Sequence, residues 1–293
     1  MADAALDWDR DGGSWPLHRC SRFVDAAGLR WHVQQLGAGP ALLLIHGTGS
    51  SAHSWQRLAP LLAARWSVTA FDLPGHGFTR GTPAAGMSLG GMSDAVAALL
   101  QTLAISPQLV VGHSAGAAIA ARMALDGHFA PQLLISLNGA LLPFDRYHAA
   151  MFAPLARLLA SMPLAAALFS WRARDRRAVE RLIASTGSRL QAEDIDLYWR
   201  LVRSPGHIAG VLQMMACWDL AALRQCLPQL QVPLLQLIAA NDRTVPPAAA
   251  QRVRALLPAA RIVTLPDLGH LAHEERADLV ARAIGIAAET LHG

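Results

Sequence analysis

Short runs of uninterrupted apolar residues recur along this chain, each ending in a turn and most followed by a stretch of helical periodicity. Ala41 to Ile45 is the first of them. A strand without polar residues has both faces buried, and such strands belong to parallel sheets covered by helices on both sides. This run ends in His46-Gly47-Thr48-Gly49, ahead of a helical pattern from Ser54 to Ala64. Val68 to Leu73 leads through a Pro-Gly-His-Gly turn to a helix near Met92 to Leu103. Leu109 to His113 leads to a helix from Ala115 to Leu125, and Leu133 to Leu137 ends at Asn138-Gly139. Repeated strand and helix with short connections specifies an α/β fold with a mostly parallel sheet. Between Phe23 and Leu36, two extended runs around Asp25-Ala-Ala-Gly28 predict a hairpin at the sheet edge.

The alternation stops between about Leu141 and Trp218, where helical stretches are punctuated by prolines at 143, 154, 163 and 205. It resumes with Leu234 to Ala239, a helix near Ala248 to Leu257, Ile262 to Leu265, and a final helix from Glu274 to Leu291. The chain is therefore expected to form one core from residues 1–140 and 219–293, with residues 141–218 inserted as a helical cap before the last strands. A composition 53% hydrophobic and 16% charged suits a single large core. The N-terminus is acidic and lacks the apolar segment of a secretory signal, and no run of about 18 apolar residues follows. A cytoplasmic protein is expected. Cys20, Cys217 and Cys226 show no CxxC spacing, which fits reduced thiols.

All 25 basic residues are arginine. Without lysine there is no Walker phosphate loop, no pyridoxal phosphate Schiff base and no lysine nucleophile. Dinucleotide fingerprints, HExxH helices and cysteine clusters are also lacking, so neither a cofactor nor a metal is expected, and no nucleic-acid partner. What remains is Gly112-His113-Ser114-Ala115-Gly116, which follows a buried strand and opens a helix. Its glycines permit the sharp turn that exposes a serine hydroxyl at the end of the sheet. A serine attacks an acyl carbon only when a base takes its proton and donors stabilise the oxyanion.

Twelve histidines compete for the role of base. His270, in Leu268-Gly269-His270 after the run Ile262 to Leu265, is expected because the order on such sheets is serine, acid, histidine. His273 reads as a helix-start residue; His46, His53 and His76 precede the serine and read as structural or pocket-lining. Asp242, just past Leu234 to Ala239, is the expected acid that holds the histidine tautomer. Asn138 after the preceding strand carries no charge, and Asp267 reads as a loop residue. Backbone amides of Thr48 and Ala115 are the expected oxyanion donors. Asp72-Leu73-Pro74-Gly75-His76-Gly77 reads as a rigid structural turn.

HGTG, DLPGHGFT, GHSAG, AANDRTVPP and LGHLAHEE, in that order, resemble the α/β-hydrolase superfamily across essentially the whole chain. The serine at 114 departs from epoxide hydrolases and haloalkane dehalogenases, which carry aspartate there. FVDAAGLRWHV, VVGHSAGAAIA, SLNGALLPF, RLVRSPGHIAG and LGHLAHEER are similar to the magnesium chelatase accessory protein family of bacteriochlorophyll biosynthesis. The resemblance implies an α/β-hydrolase fold, the triad Ser114, Asp242 and His270, and an accessory role in magnesium insertion with transient contact to magnesium chelatase. An esterase or carbon–carbon bond hydrolase of small aromatic compounds, and a non-catalytic porphyrin-binding protein, stay open as alternatives.

The cap adds a charge pattern. Arginines at 146, 157, 172, 174, 176, 177, 181, 189, 200 and 203 outnumber carboxylates at 145, 175, 180, 193, 194 and 196, and apolar stretches such as Met151 to Trp171 run between them. A bulky apolar small molecule with carboxylate arms, a porphyrin among them, is the expected ligand. An ordinary amphipathic cap with a solvated basic face has the same pattern, and any membrane contact would be peripheral.

Overall fold

The computed structural model describes residues 6–143 and 175–290. Eight strands form one sheet: β1 Ser21–Ala26, β2 Leu29–Leu36, β3 Ala41–Ile45, β4 Ser67–Phe71, β5 Leu109–His113, β6 Leu133–Leu137, β7 Leu234–Ala239 and β8 Arg261–Leu265. Their order across the sheet is β1-β2-β4-β3-β5-β6-β7-β8. The pairs β1–β2 and β2–β4 are antiparallel and all others are parallel. Ala27 and Gly28, at φ 51° and 76°, join β1 to β2 as the two left-handed residues that a tight hairpin of right-twisted strands requires.

The apolar runs are explained by what covers them. Leu42, Leu44, Leu109, Val111, Leu133 and Ile135 face a layer containing Leu58 and Leu62 of α1 (Leu58–Leu62). Their neighbours Leu43, Ile45, Val110 and Leu134 face the opposite layer. There they share a core with Met92, Val96 and Leu99 of α2 (Leu89–Thr102) and Ile119 of α3 (Ala115–Leu125). Each fully buried leucine contributes roughly 2 kcal/mol of hydrophobic stabilisation, so an all-apolar strand needs both layers.

Between β6 and β7 the described elements are all helical: α4 Arg176–Ser185, α5 Ala192–Val202, α6 Pro205–Cys217 and α7 Ala221–Cys226, then a 3-10 turn. Val179, Ile183, Leu197, Tyr198 and Leu201 from α4 and α5 pack with Trp15, Phe78 and Leu271. Because Leu271 adjoins His270, this places the helices beside the loops at the carboxyl ends of the strands. Residues 144–174, with arginines 146, 157, 172 and 174 and the Met151 to Trp171 stretch, lie outside the described residues. Among the described residues no single helix is long and apolar enough to cross a membrane.

After β7 come α8 (Ala248–Leu256), β8, α9 (Ala272–Glu275) and α10 (Ala277–Glu289). Two helices differ from expectation. The pattern from Ser54 to Ala64 is divided into a 3-10 turn at Ala52–Trp55 and α1. The final helix is broken at Arg276, whose backbone leaves the helical region at φ −143°, ψ 69°. The break separates two jobs. Glu274 and Glu275 of α9 hydrogen-bond to α5, to Gly269 and to Arg189, whereas Ala277, Val280 and Ile284 of α10 pack under the sheet.

Candidate active site

Ser114 sits between β5 and α3 with φ 52° and ψ −118°, a conformation L-residues avoid and one that turns a strand sharply into a helix. The flanking glycines are required by contact. A Cβ at Gly112 would lie 2.5 Å from Ala117 Cα, and one at Gly116 would lie 2.2 Å from the Ile45 carbonyl oxygen. A Cβ at Gly47 would come within 2.9 Å of the Ser114 Cβ, so the loop after β3 lies directly against the serine. Ser114 is half-buried.

Asp242 and His270, expected from strand-end placement, are brought together. His270 Nδ1 donates to Asp242 Oδ2 at 2.8 Å, and Asp242 Oδ1 accepts from the amides of Thr244 (2.7 Å) and Val245 (2.9 Å). The carboxylate is thus fully engaged and its orientation is set by the backbone. Among the described residues neither the Ser114 hydroxyl nor His270 Nε2 has a hydrogen-bond partner, and the two do not bond each other. Such bonds often tighten only when substrate is present. Asp267 is exposed at φ 60° and does not contact His270 through a hydrogen bond.

Two residues outside the expected set clamp the His270 loop. Asn138, at φ 45° after β6, donates to the carbonyls of His270 (2.8 Å) and Gly269 (3.2 Å) while its Oδ1 accepts from Ala239 N (2.7 Å). His113 Nε2 also donates to the His270 carbonyl at 2.9 Å. One amide therefore ties the end of β6 to β7 and to the histidine loop. The turn after α4 braces the same loops: Ser188 Oγ accepts from Leu271 N at 2.8 Å, and the Thr186 carbonyl from Arg243 N at 3.1 Å.

At the expected oxyanion loop, His46 Nδ1 donates to the Gly47 carbonyl (2.8 Å) and its Nε2 accepts from Leu73 N (2.9 Å). The Gly47 carbonyl and the Thr48 N–H belong to one planar trans peptide, so His46 also orients the Thr48 amide. Among the described residues, the amides of Thr48 and of Ala115, the first residue of α3, donate to no protein acceptor. Burial, followed by the nearby His76, lowers His46 to about 3. Burial likewise lowers His53 and His273 to about 3, so these imidazoles are neutral. Glu274 is raised to about 8 by burial and accepts from the Tyr198 hydroxyl at 2.7 Å.

The Asp72 turn carries a second constellation. His32 Nδ1 lies 2.9 Å from Asp72 Oδ2 and His32 Nε2 lies 3.0 Å from Ser21 Oγ. Asp72 also accepts from Ala52 N (2.7 Å) and Phe78 N (2.8 Å). Burial opposes its ionisation, but His32, His46 and the Ala52 amide hold its carboxyl below the usual carboxylate range. Several cap arginines within the described residues are engaged by the protein itself. Arg176 pairs with Glu180 and Asp196, Arg200 lies over Trp15, and Arg203 lies over Trp199.

An eight-stranded, mostly parallel sheet with a serine at a strained strand-to-helix turn defines a class, and the sequence agrees: the chain belongs to the alpha/beta hydrolase family, which it matches over residues 42–283. Among relatives, the magnesium-chelatase 30 kDa subunit of Rhodobacter capsulatus is 36% identical over 90% of this chain and 93% of its own length. A pimeloyl-[acyl-carrier protein] methyl ester esterase of Vibrio vulnificus is 30% identical over 83% of this chain and 91% of its own. The fold is shared with a thermophilic esterase from Thermogutta terrifontis, with a TM-score of 0.75 at 23% identity, covering 93% of this chain and all of that one.

Proposed function

We propose that this chain is a serine hydrolase acting through an acyl-enzyme and serving as an accessory factor for magnesium insertion in bacteriochlorophyll biosynthesis. The chemical half is carried by the 2.8 Å bond from His270 Nδ1 to a backbone-anchored Asp242, in the loop neighbourhood of a strained Ser114. With Nδ1 committed as a donor, Nε2 is left as the basic nitrogen. His270 takes the Ser114 proton as the hydroxyl oxygen attacks an acyl carbon, and Asp242 stabilises the imidazolium. The amides of Thr48 and Ala115 receive the oxyanion. The proton passes to the leaving group, and water then releases the acyl group by the reverse sequence.

The pathway half is supported by identity to the magnesium-chelatase subunit along nearly the whole chain, insertion included. A chain without lysine has no Walker loop to power chelation, so the expected role is accessory, with a porphyrin-like ligand and transient contact with the chelatase. Both halves meet in one experiment: a strain lacking this gene is complemented with wild type or Ser114→Ala, and both proteins are exposed to a fluorophosphonate probe. Wild type should label and restore pigment while Ser114→Ala does neither. Pigment restored by Ser114→Ala would remove turnover from the role, and an unlabelled wild type would remove the activated serine.

A further inference from the structure

We infer that one face of α6, formed by His207, Gly210 and Met214, is a positioning device that holds the oxyanion loop of the Ser114 site, making the helical insertion part of the reaction geometry. The inference rests on the reading of Ser114 as nucleophile and the Thr48 amide as oxyanion donor.

The three residues are spaced i, i+3 and i+7, which puts them on one stripe of the helix. His207 Nδ1 accepts from Gly77 N at 3.2 Å and its Nε2 lies 3.3 Å from the Gly49 carbonyl oxygen. One ring therefore bridges the loop after β3 and the turn after β4. An amide only donates and a carbonyl only accepts, so Nδ1 must be bare and Nε2 must carry the hydrogen. Burial, and then the neighbouring His76, keep this imidazole well below its ordinary range, so the neutral form that makes both bonds persists.

Gly210 sets the height of the helix. A Cβ there would lie 2.1 Å from the Gly75 carbonyl oxygen, and a Cβ on Gly75 would lie 2.8 Å from Gly210 Cα. Backbone rests on backbone in this contact, with the Met87 methyl beside it at 2.9 Å from the Gly75 Cβ position. Met214 is buried, and its sulfur accepts from Thr48 Oγ1 at 3.5 Å. Thr48 and Gly49 are thus each held from α6, while His46 holds the Gly47–Thr48 peptide from the core side. The loop needs such support because glycine at 47 and 49, the latter at φ 79°, leaves it conformationally free. None of the three residues is hydrogen-bonded to Ser114 or His270, so their action on the site passes through the loop.

The test uses full-length protein, a fluorophosphonate probe and p-nitrophenyl acetate. His207→Phe removes both bonds and His207→Gln can restore one donor and one acceptor. Gly210→Ala moves the helix by another route. Removing an oxyanion donor costs 10²–10³-fold in related chemistry, so a displaced donor should cost about 10- to 100-fold. We expect the labelling rate and kcat to fall by that factor in His207→Phe and Gly210→Ala, with KM changed less than threefold. Labelling should still run to full amplitude, and His207→Gln should recover at least half of the loss on a logarithmic scale. A wild-type rate in both damaging variants would overturn the inference while leaving the hydrolase reading intact. Loss of amplitude matching loss of folded protein, without rescue by glutamine, would also overturn it. A wild type that does not label would fell both readings.

Discussion

Asp242→Asn tests the proposed acid with almost no change in shape, and the structure supplies its magnitude. Oδ1 accepts from Thr244 N and Val245 N, while Oδ2 faces His270 Nδ1. An asparagine can keep its oxygen on the two amides only by turning its NH2 group toward His270. That group donates, so Nδ1 must then accept and the proton moves to Nε2, where it faces the serine. The opposite orientation gives up two backbone hydrogen bonds at about 1–1.5 kcal/mol each. A penalty of roughly 3 kcal/mol leaves about one molecule in a hundred with the productive tautomer. Loss of the carboxylate charge that stabilises the imidazolium brings the total to about 10⁴-fold, the scale of the same change in a serine protease triad. Stability should change little, because both backbone bonds survive: about 1 kcal/mol, or a Tm shift of a few degrees. The assay is the second-order rate of fluorophosphonate labelling, read from gel fluorescence over time, beside a thermal melt. A rate within tenfold of wild type at an unchanged Tm would refute both the assignment and the tautomer reasoning.

Asn138→Ala should lower Tm, because it strips its bond from the Gly269 carbonyl and the Ala239 amide, at about 1–3 kcal/mol for each one left unpaired, while His113 still donates to the His270 carbonyl, and should slow labelling through a loosened His270; an unaltered melt would deny the clamp. Glu274 has its folded pKa raised from 4.5 to about 8, so the stability it confers is complete below 4.5 and is lost as pH rises to about 8. Glu274→Gln should flatten that decline in Tm between pH 5 and 8, and an identical profile would contradict it. His46, His53 and His273, lowered from 6.5 to about 3, contribute stability that is present above pH 6.5 and lost as pH falls toward 3. Acid unfolding should therefore begin near 6.5 and steepen with proton uptake; a melt flat from 6.5 to 4 would exclude it. Protoporphyrin should quench the intrinsic fluorescence of wild type and Ser114→Ala equally and bind more weakly when Arg172 and Arg174 are both changed to glutamine. Failure to bind wild type would remove the ligand from the proposal.

The strands were legible because burial on both faces leaves a signal that needs no neighbour: Leu42-Leu43-Leu44-Ile45 is apolar whichever way each residue points. Asp242 and His270 could be located because chain order and strand ends are local properties, and the structure joins them at 2.8 Å. Contacts among several loops were not legible. From sequence Asn138 reads only as an uncharged occupant of an acid's position, whereas in the fold it bonds β7 and the His270 loop at once. His207, in the RSPGHIAG segment, gave no local sign that its ring would bridge Gly49 and Gly77. The arginine count also concealed the outcome for Arg176, Arg200 and Arg203, since a sequence tally does not distinguish a cation facing a ligand from one already paired or stacked.

The described residues contain two Ser–His–Asp constellations, and the more completely bonded one is the less suited to reaction. Ser21, His32 and Asp72 make both internal bonds, yet Ser21 Oγ also accepts from Gln34 Nε2 and donates to the Leu17 carbonyl. Its hydroxyl proton is thus already committed elsewhere. His32 is fully buried among the rings of Trp8, Phe23 and Phe78, where no acyl group has room to approach. Ser21 lies at the start of an ordinary edge strand, without the strained turn that thrusts a hydroxyl forward. Ser114 has the opposite profile: a strained backbone, a half-buried hydroxyl without a competing partner among the described residues, and the start of a helix at the next residue. His53, His273 and His46 have been desolvated into neutrality, and none of them bonds a carboxylate through Nδ1. Among the histidines of the described residues, only His270 combines a carboxylate on Nδ1 with an Nε2 that no described protein group occupies. On the proposed reading, reactivity would therefore follow from which polar groups are left unsatisfied. The buried network around Asp72 satisfies its hydrogen bonds within the fold, and the loops around Ser114 leave the hydroxyl, His270 Nε2 and the Thr48 and Ala115 amides without a protein partner among the described residues.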